Sequence, residues 1–323
     1  MAPDDNGLTV GGCNLSAWER TLSHAPIPPH LSLEARTMLR EGLPASEAEA
    51  ASLDGQRRIC AGIQEELGAR QLLRYPVDIE EGVIAGVPVR TFRPRNLRLE
   101  NGKRVLMNCH GGAFAKDSGS LTENIPIAHL TQTTVVTVLY RMAPENAFPA
   151  AVDDAEAVYS ELLGRYQPEN IRIYGTSAGA ILSAQTLVRL QNKGKPLPDR
   201  LGFFTGSADL GSAGDSEYFF PLVDDPRPLG AVLAPYIGGH DTRDPALSPI
   251  FADLKGFPAT LCIAGTRDLM LSQTALFHRA LLRAGVEAHL ILFEGMPHAH
   301  WSYLELPESD EAFGLMANFL GWN

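Results

Sequence analysis

Gly175-Thr176-Ser177-Ala178-Gly179 follows the apolar run IRIY and precedes AGAILSAQTLVRLQ, a helical pattern. A serine on a sharp strand-to-helix turn presents its hydroxyl at the helix N-terminus, where partial positive charge favours a developing anion. The flanking glycines leave room for that turn. A bare GxSxG also arises as an ordinary αβ turn, so the strand and helix around it carry the weight. His110-Gly111-Gly112-Ala113-Phe114 comes directly after the apolar run RVLMNC. Small residues there let the backbone approach the serine and aim N–H groups at a tetrahedral oxyanion. The expected donors are the amides of Gly112 and Ala113, shared with Gly111, together with that of Ala178. His110 is expected to brace the loop rather than act as a base.

A nucleophilic serine needs a base and an acid that orients it. Asp268 lies in GTRDLM, just past the run ATLCIAG, and His298 lies in EGMPHAHW, past EAHLILF. Lone Asp and His residues in loops usually do no chemistry. Here the order is Ser, Asp, His, and each residue stands at the carboxyl end of a strand, where open α/β sheets bind ligand. Ser177 is thus the candidate nucleophile, Asp268 the acid and His298 the base. His300 competes for the last role. Cys13, Cys60, Cys109 and Cys262 form no CxxC pair and no metal-like spacing, so buried free thiols are expected and neither metal nor cofactor is implied.

Elements must hold these residues. From about 77, apolar β-rich runs at 104–109, 134–140, 170–175, 201–206, 259–265 and 287–293 alternate with helical patterns near 122–132, 149–163, 178–192, 270–284 and 309–320. That alternation indicates a mostly parallel sheet covered on both faces. VDIEEGVI and VPVRTFRP read as a hairpin turning at Ala85–Gly86. Ahead of them, 31–42 and a run capped by Ser46, with Glu49 at capping-box distance and ending near Gly68, read as helices. Leu31, Leu33, Met38, Leu39, Ile59, Ile63 and Leu67 could form their apolar face. Residues 207–246 break the alternation, being rich in Gly, Pro, Asp and aromatics. The organisation expected is an arm with cap helices over 1–76 and a catalytic domain over 77–323, with a cap insertion near 207–246. Trp18, Phe203, Phe204, Tyr218, Phe219, Phe220 and Tyr236 are candidates to line the pocket, though ordinary packing is the expectation for any single one.

The 323 residues suit one large domain with a cap. A formal net charge of −11 without a Lys/Arg cluster argues against nucleic acid and anionic membranes. A neutral or apolar small molecule fits better as substrate. The N-terminus lacks the pattern of a signal peptide, and no apolar run reaches the ~18 residues of a membrane span. A cytoplasmic protein is expected, and a homodimer is compatible with the chain.

HGGAF (110–114), YRMAPENAFPAAVDD (140–154), GTSAG (175–179) and the pair GTRDLM with EGMPHAHW together resemble the hormone-sensitive-lipase-like esterases, the bacterial type-IV group of the α/β hydrolases. The resemblance covers roughly 77–320, and the YRMAPE…FPAA stretch is its most family-specific part. It implies the α/β-hydrolase fold with a helical cap, no cofactor, and hydrolysis of short- to medium-chain carboxylic esters through an acyl-enzyme. The GTSAG spelling belongs to a branch that also holds lactone hydrolases. Lactone or amide cleavage, or a non-catalytic receptor on the same fold, are the alternatives. The family pattern favours His298 over His300 as base and lets His300 face the pocket. Two departures stand out. Ala113 replaces the third Gly of HGGG, keeping its N–H, so that the oxyanion hole survives if φ is negative there, and Ser272 replaces an acid often found four residues after the catalytic Asp.

Overall fold

The computed structural model describes residues 26–41, 52–220 and 228–322. Its frame is an eight-stranded sheet of β1 (Val77–Ile84), β2 (Val87–Pro94), β3 (Val105–Cys109), β4 (Thr134–Val138), β5 (Ile171–Thr176), β6 (Arg200–Phe204), β7 (Ala259–Arg267) and β8 (Ala288–Pro297). The strands lie in the order β1-β2-β4-β3-β5-β6-β7-β8. β1 and β2 form the expected hairpin, and Ala85 (φ 51°) and Gly86 (φ 82°) make the two-residue left-handed turn that matches strand twist. β2 pairs antiparallel with β4, and every later pairing is parallel. β3, β5 and nearly all of β6 are buried on both faces, which explains their continuous apolar spelling.

Helices cover both faces. They are α1 (Leu33–Glu41), α2 (Leu53–Arg74), α3 (Asn124–Thr131), α4 (Ala150–Leu163), α5 (Ala178–Asn192), α6 (Asp215–Phe219), α7 (Leu229–Ile237), α8 (Leu271–Arg283) and α9 (Pro307–Leu320). Alternate residues of the strands feed two cores. Met107, Val136, Ile173 and Leu201 pack with α4, α5 and α8, while Leu106, Val135, Tyr174 and Ile263 pack with α3 and α9. The chain runs from β3 out to β4 and then back across β3 to β5. The strand order therefore reverses beside the carboxyl ends of β3 and β5, and an open crevice forms at such a point.

The N-terminal helices differ in part from expectation. Ser46 and Glu49 lie outside the described residues. The side chain of Ser52 accepts from Gly55 N at 3.1 Å, and the helix it starts continues past Gly68 to Arg74. Its buried face is Gly55, Gln64, Leu67, Gly68 and Gln71; of the apolar residues expected on these helices, Leu31 and Leu67 are buried and Met38 and Leu39 pack against the core, whereas Ile63 and Leu33 are exposed. α2 docks by close approach. A Cβ at Gly68 would lie 2.8 Å from Leu121, and Gln64 bonds Asp117 O and Leu121 N. The 207–246 segment contributes the short helices α6 and α7. No described helix is long and apolar enough to cross a membrane. Cys109 and Cys262 are buried thiols outside any disulfide, Cys60 is half-buried, and Cys13 lies outside the described residues.

Candidate active site

Ser177 sits between β5 and α5 with φ 59° and ψ −122°, a conformation that costs a non-glycine residue about 1–3 kcal/mol. The sequence leaves the chain no other course. Gly175 and Gly179 touch backbone so closely that a Cβ at Gly179 would lie 1.8 Å from Cys109 O, and one at Gly175 2.3 Å from Gly179 C. Ser177 N is pinned to Phe204 O at 2.9 Å, and Ser177 O starts α5 by accepting from Ala180 N. The turn is held on three sides and presents the half-buried hydroxyl.

His298 follows β8 directly and Asp268 follows β7. His298 Nε2 lies 3.0 Å from Ser177 Oγ, and His298 Nδ1 lies 2.8 Å from Asp268 Oδ1. With Nδ1–H directed at the carboxylate, Nε2 is left to accept the serine proton. Asp268 is wholly buried. Burial alone would raise its carboxyl, but the adjacent His298, the Thr205 hydroxyl and the Met270 amide outweigh burial and hold it below the usual carboxylate range. Met270 N donates to Oδ1 at 2.8 Å, and Thr205 Oγ1 donates to Oδ2.

Thr205 is a residue that sequence reading missed. It stands just past β6 with φ 45°, and its Oγ1 also lies 3.1 Å from His298 Nδ1. The available signal was its place at the carboxyl end of a buried strand. Tyr303, also missed, donates to His298 O at 2.9 Å and fixes the loop.

His300 does not face a pocket. It is fully buried against Phe293 and Trp301. Burial pushes its imidazole down to about 4. Phe203, Phe204 and Tyr236 are likewise core residues, whereas Tyr218 and Phe219 on α6 are exposed. Phe220 is partly buried against the core, and Trp18 lies outside the described residues. α6 is docked beside the acid. Ser216 Oγ donates to Leu269 O at 2.6 Å, and Ser216 and Ser272 exchange N–H···Oγ bonds of 3.0 Å. Ser272 thus serves as a clamp in the place of an acidic residue.

The glycine-rich loop leaves β3 and crosses beside the serine. A Cβ at Gly111 would lie 3.5 Å from Ser177 Cβ, and one at Gly112 (φ 115°) only 2.0 Å from Lys116 O. Among the described residues, the amides of Gly112, Ala113 and Ala178 donate to no protein acceptor. The condition of a negative φ at Ala113 is not met, since Ala113 has φ 54° and Phe114 φ 60°, yet the Ala113 N–H still donates to no protein acceptor. Two successive side-chain-bearing residues in the left-handed region cost roughly 1–2 kcal/mol each. His110 braces the loop: its ring stacks on Tyr140 at 4.2 Å, its Nδ1 lies 2.8 Å from Gly111 O, and Tyr140 OH donates to His110 O at 2.8 Å. The YRMAPE stretch is therefore the loop's support, with Arg141 fastened to Asp154.

A shallow groove of about 230 Å³ between His30–Leu31, β8 and α9 shares no lining residue with this site. Among the described residues no His, Cys, Asp or Glu cluster has the makings of a metal site.

A hydroxyl, an imidazole and a buried carboxylate in series, beside unpaired amides at the strand crossover, define a serine hydrolase of the α/β class. Residues 106–302 match the family model of the α/β-hydrolase fold, and the chain belongs to that family. It is 32% identical over 224 residues to an acetyl-hydrolase of Streptomyces hygroscopicus, covering 67% of this chain and 75% of that one. An esterase of Acinetobacter venetianus is 30% identical over 253 residues, covering 72% and 82%. The crystal structure of esterase E25 superposes with TM-score 0.80 at 30% identity over 98% of both chains. That of an esterase from the bacterial hormone-sensitive lipase family does so with TM-score 0.76 at 28% identity, over 90% and 97%. The resemblance read from HGGAF, YRMAPE and GTSAG is borne out.

Proposed function

We propose that the protein is a carboxylesterase in which Ser177 is the nucleophile, His298 the base and Asp268 the acid that orients it. The observation that carries this is the unbroken series of 3.0 and 2.8 Å contacts from Ser177 Oγ through the imidazole to Asp268. Ser177 Oγ attacks the ester carbonyl while its proton passes to His298 Nε2. The tetrahedral oxyanion is received by the amides of Gly111, Gly112, Ala113 and Ala178. His298 then protonates the departing alkoxide, leaving an acyl-Ser177. Water, deprotonated by the same imidazole, attacks the acyl carbonyl, and the carboxylic acid leaves as Ser177 recovers its proton. Asp268 stabilises the imidazolium in both steps. A lactone would follow the same path, with the alcohol tethered to the acyl group. A complete triad counts against a receptor.

The substrate is a short- to medium-chain ester, and the cap of residues 1–76 with 207–246 sets its size. Support comes from α6, which fastens to the loop of Asp268 while exposing Tyr218 and Phe219. A cytoplasmic location completes the reading. The test is kcat/KM across nitrophenyl esters from acetate to dodecanoate, beside a lactone and an anilide. A maximum at short or medium esters, shifted by Tyr218→Ser with Phe219→Ser through KM, is expected. Preference for the lactone or anilide, or no shift in the double variant, would contradict the substrate class or the cap role respectively.

A further inference from the structure

The loop that offers the oxyanion amides is built from residues that resist its shape. Ala113 and Phe114 both have positive φ, where only glycine is at ease. Such a segment persists when its surroundings over-determine it. The second half of the loop has three holds. Ala143 N donates to Phe114 O at 2.8 Å, and the Phe114 ring stacks on Tyr236 at 3.4 Å. The third comes from another part of the chain, the first turns of α2. Arg57 Nε donates to Ala115 O at 2.8 Å, and its Nη2 to Ala143 O at 3.2 Å. The same guanidinium meets Glu145 with both Nη groups, at 2.7 and 2.8 Å. The peptide that carries Ala115 O itself closes the turn, since its N–H, that of Lys116, donates to Gly112 O at 3.0 Å. One planar fork therefore ties α2, the oxyanion loop and the YRMAPE stretch together.

We propose that Arg57 is a positioning residue for the chemical step, holding Ala113 and Phe114 in the left-handed conformation that aims the loop amides at the oxyanion. This rests on the reading of Ser177 as nucleophile. It makes α2, a helix ahead of the first strand, part of the machinery that stabilises the transition state rather than only a cover. Lysine cannot replace the arginine, because a point charge does not span two carbonyls and a carboxylate. If Arg57 merely docked α2, its loss would lower stability and leave kcat alone. If it positions the loop, its loss lowers kcat while KM stays, because the oxyanion forms after the ester binds.

The experiment is a cycle of Arg57→Ala and Ala113→Gly in the full chain, with kcat and KM on nitrophenyl acetate and a urea melt for each variant. Arg57→Ala should lower kcat about 10- to 100-fold, part of the 10²–10³ that a lost oxyanion donor costs. KM should stay within about threefold, and Arg57→Lys should recover stability but not kcat. Glycine adopts positive φ without penalty, so in the Ala113→Gly background the loss from Arg57→Ala should shrink to roughly fivefold or less. A kcat within twofold of wild type for Arg57→Ala, or the same fold-loss in both backgrounds, would overturn the proposal. Should Arg57→Ala fail to fold, Arg57→Lys in both backgrounds decides by the same criterion. A fluorophosphonate probe on the wild type separates the two readings. If Ser177 is labelled and the cycle is flat, only the role of Arg57 falls; if Ser177 is not labelled, the nucleophile assignment falls first.

Discussion

Two histidines two residues apart have opposite surroundings. His298 is partly open, with one ring nitrogen on Asp268 and the other on Ser177. His300 is sealed between Phe293 and Trp301, where burial outweighs the neighbouring Glu308 and Pro297 backbone and keeps the ring uncharged near neutral pH. His298→Ala should therefore lower kcat by at least 10²–10⁴-fold, the usual worth of a general base. His300→Phe keeps an aromatic ring in the sealed site, away from Ser177, and should leave kcat within roughly threefold. Steady-state kinetics on the two variants checks this, and a larger loss at His300 would reverse the assignment. The proposed triad was legible because each member is a chemically distinctive residue at a strand end in a fixed order. Thr205 and Arg57 were not. A threonine after a strand and an arginine on a helix are common, and their roles exist only once β6 and α2 have been brought against other segments. The sign of φ at Ala113 was equally out of reach, since alanine ordinarily reports negative φ and here the loop's holds decide.

Beneath the carboxyl ends of β3 and β5 lies a buried polar layer. Asn124 Nδ2 donates to Asn108 Oδ1 at 3.0 Å, and Tyr174 OH donates to Asn124 Oδ1. Glu123 shares this layer, almost wholly buried, with Oε2 lacking any partner. Burial, opposed by Thr176, Trp301 and Asn108 and reinforced by Asp117, raises its carboxyl to about 8. The folded chain thus keeps the proton that an unfolded chain releases near 4.5. Stability from this group is complete below pH 4.5 and is lost as pH rises through about 8, by at most about 1.4 kcal/mol per pH unit. His300 works the other way. Its folded value of about 4 lies below 6.5, so its contribution is complete above pH 6.5 and is lost as pH falls towards 4. Urea midpoints between pH 6.5 and 8.5, clear of His300, should fall for the wild type and stay level for Glu123→Gln. Parallel curves for the two would show that Glu123 is ionised in the native chain. At this scale the strands of the sheet were readable from buried apolar runs, whereas α2 was misjudged. It docks through Gly68, Gln64 and Gln71, and small or polar contacts leave no apolar stripe to detect.

Over the whole molecule the sheet brings together residues far apart in sequence, with Ser177 and His298 separated by 121 positions. Strand–helix alternation made the fold class legible, but alternation does not encode strand order, so the crossover beside β3 appears only in the folded sheet. The cap could be placed only by its broken periodicity, and what it admits depends on packing that no periodicity reports. The proposed acyl-enzyme forms on a single serine, Ser177. The most direct measurement is intact mass followed by peptide mapping after treatment with a fluorophosphonate, run beside ester hydrolysis by Ser177→Ala. The expected result is one label per chain, located on Ser177, with the variant unlabelled, still folded, and reduced in kcat by a factor on the order of 10⁶. A label on another serine, or hydrolysis by Ser177→Ala at the wild-type rate, would contradict it.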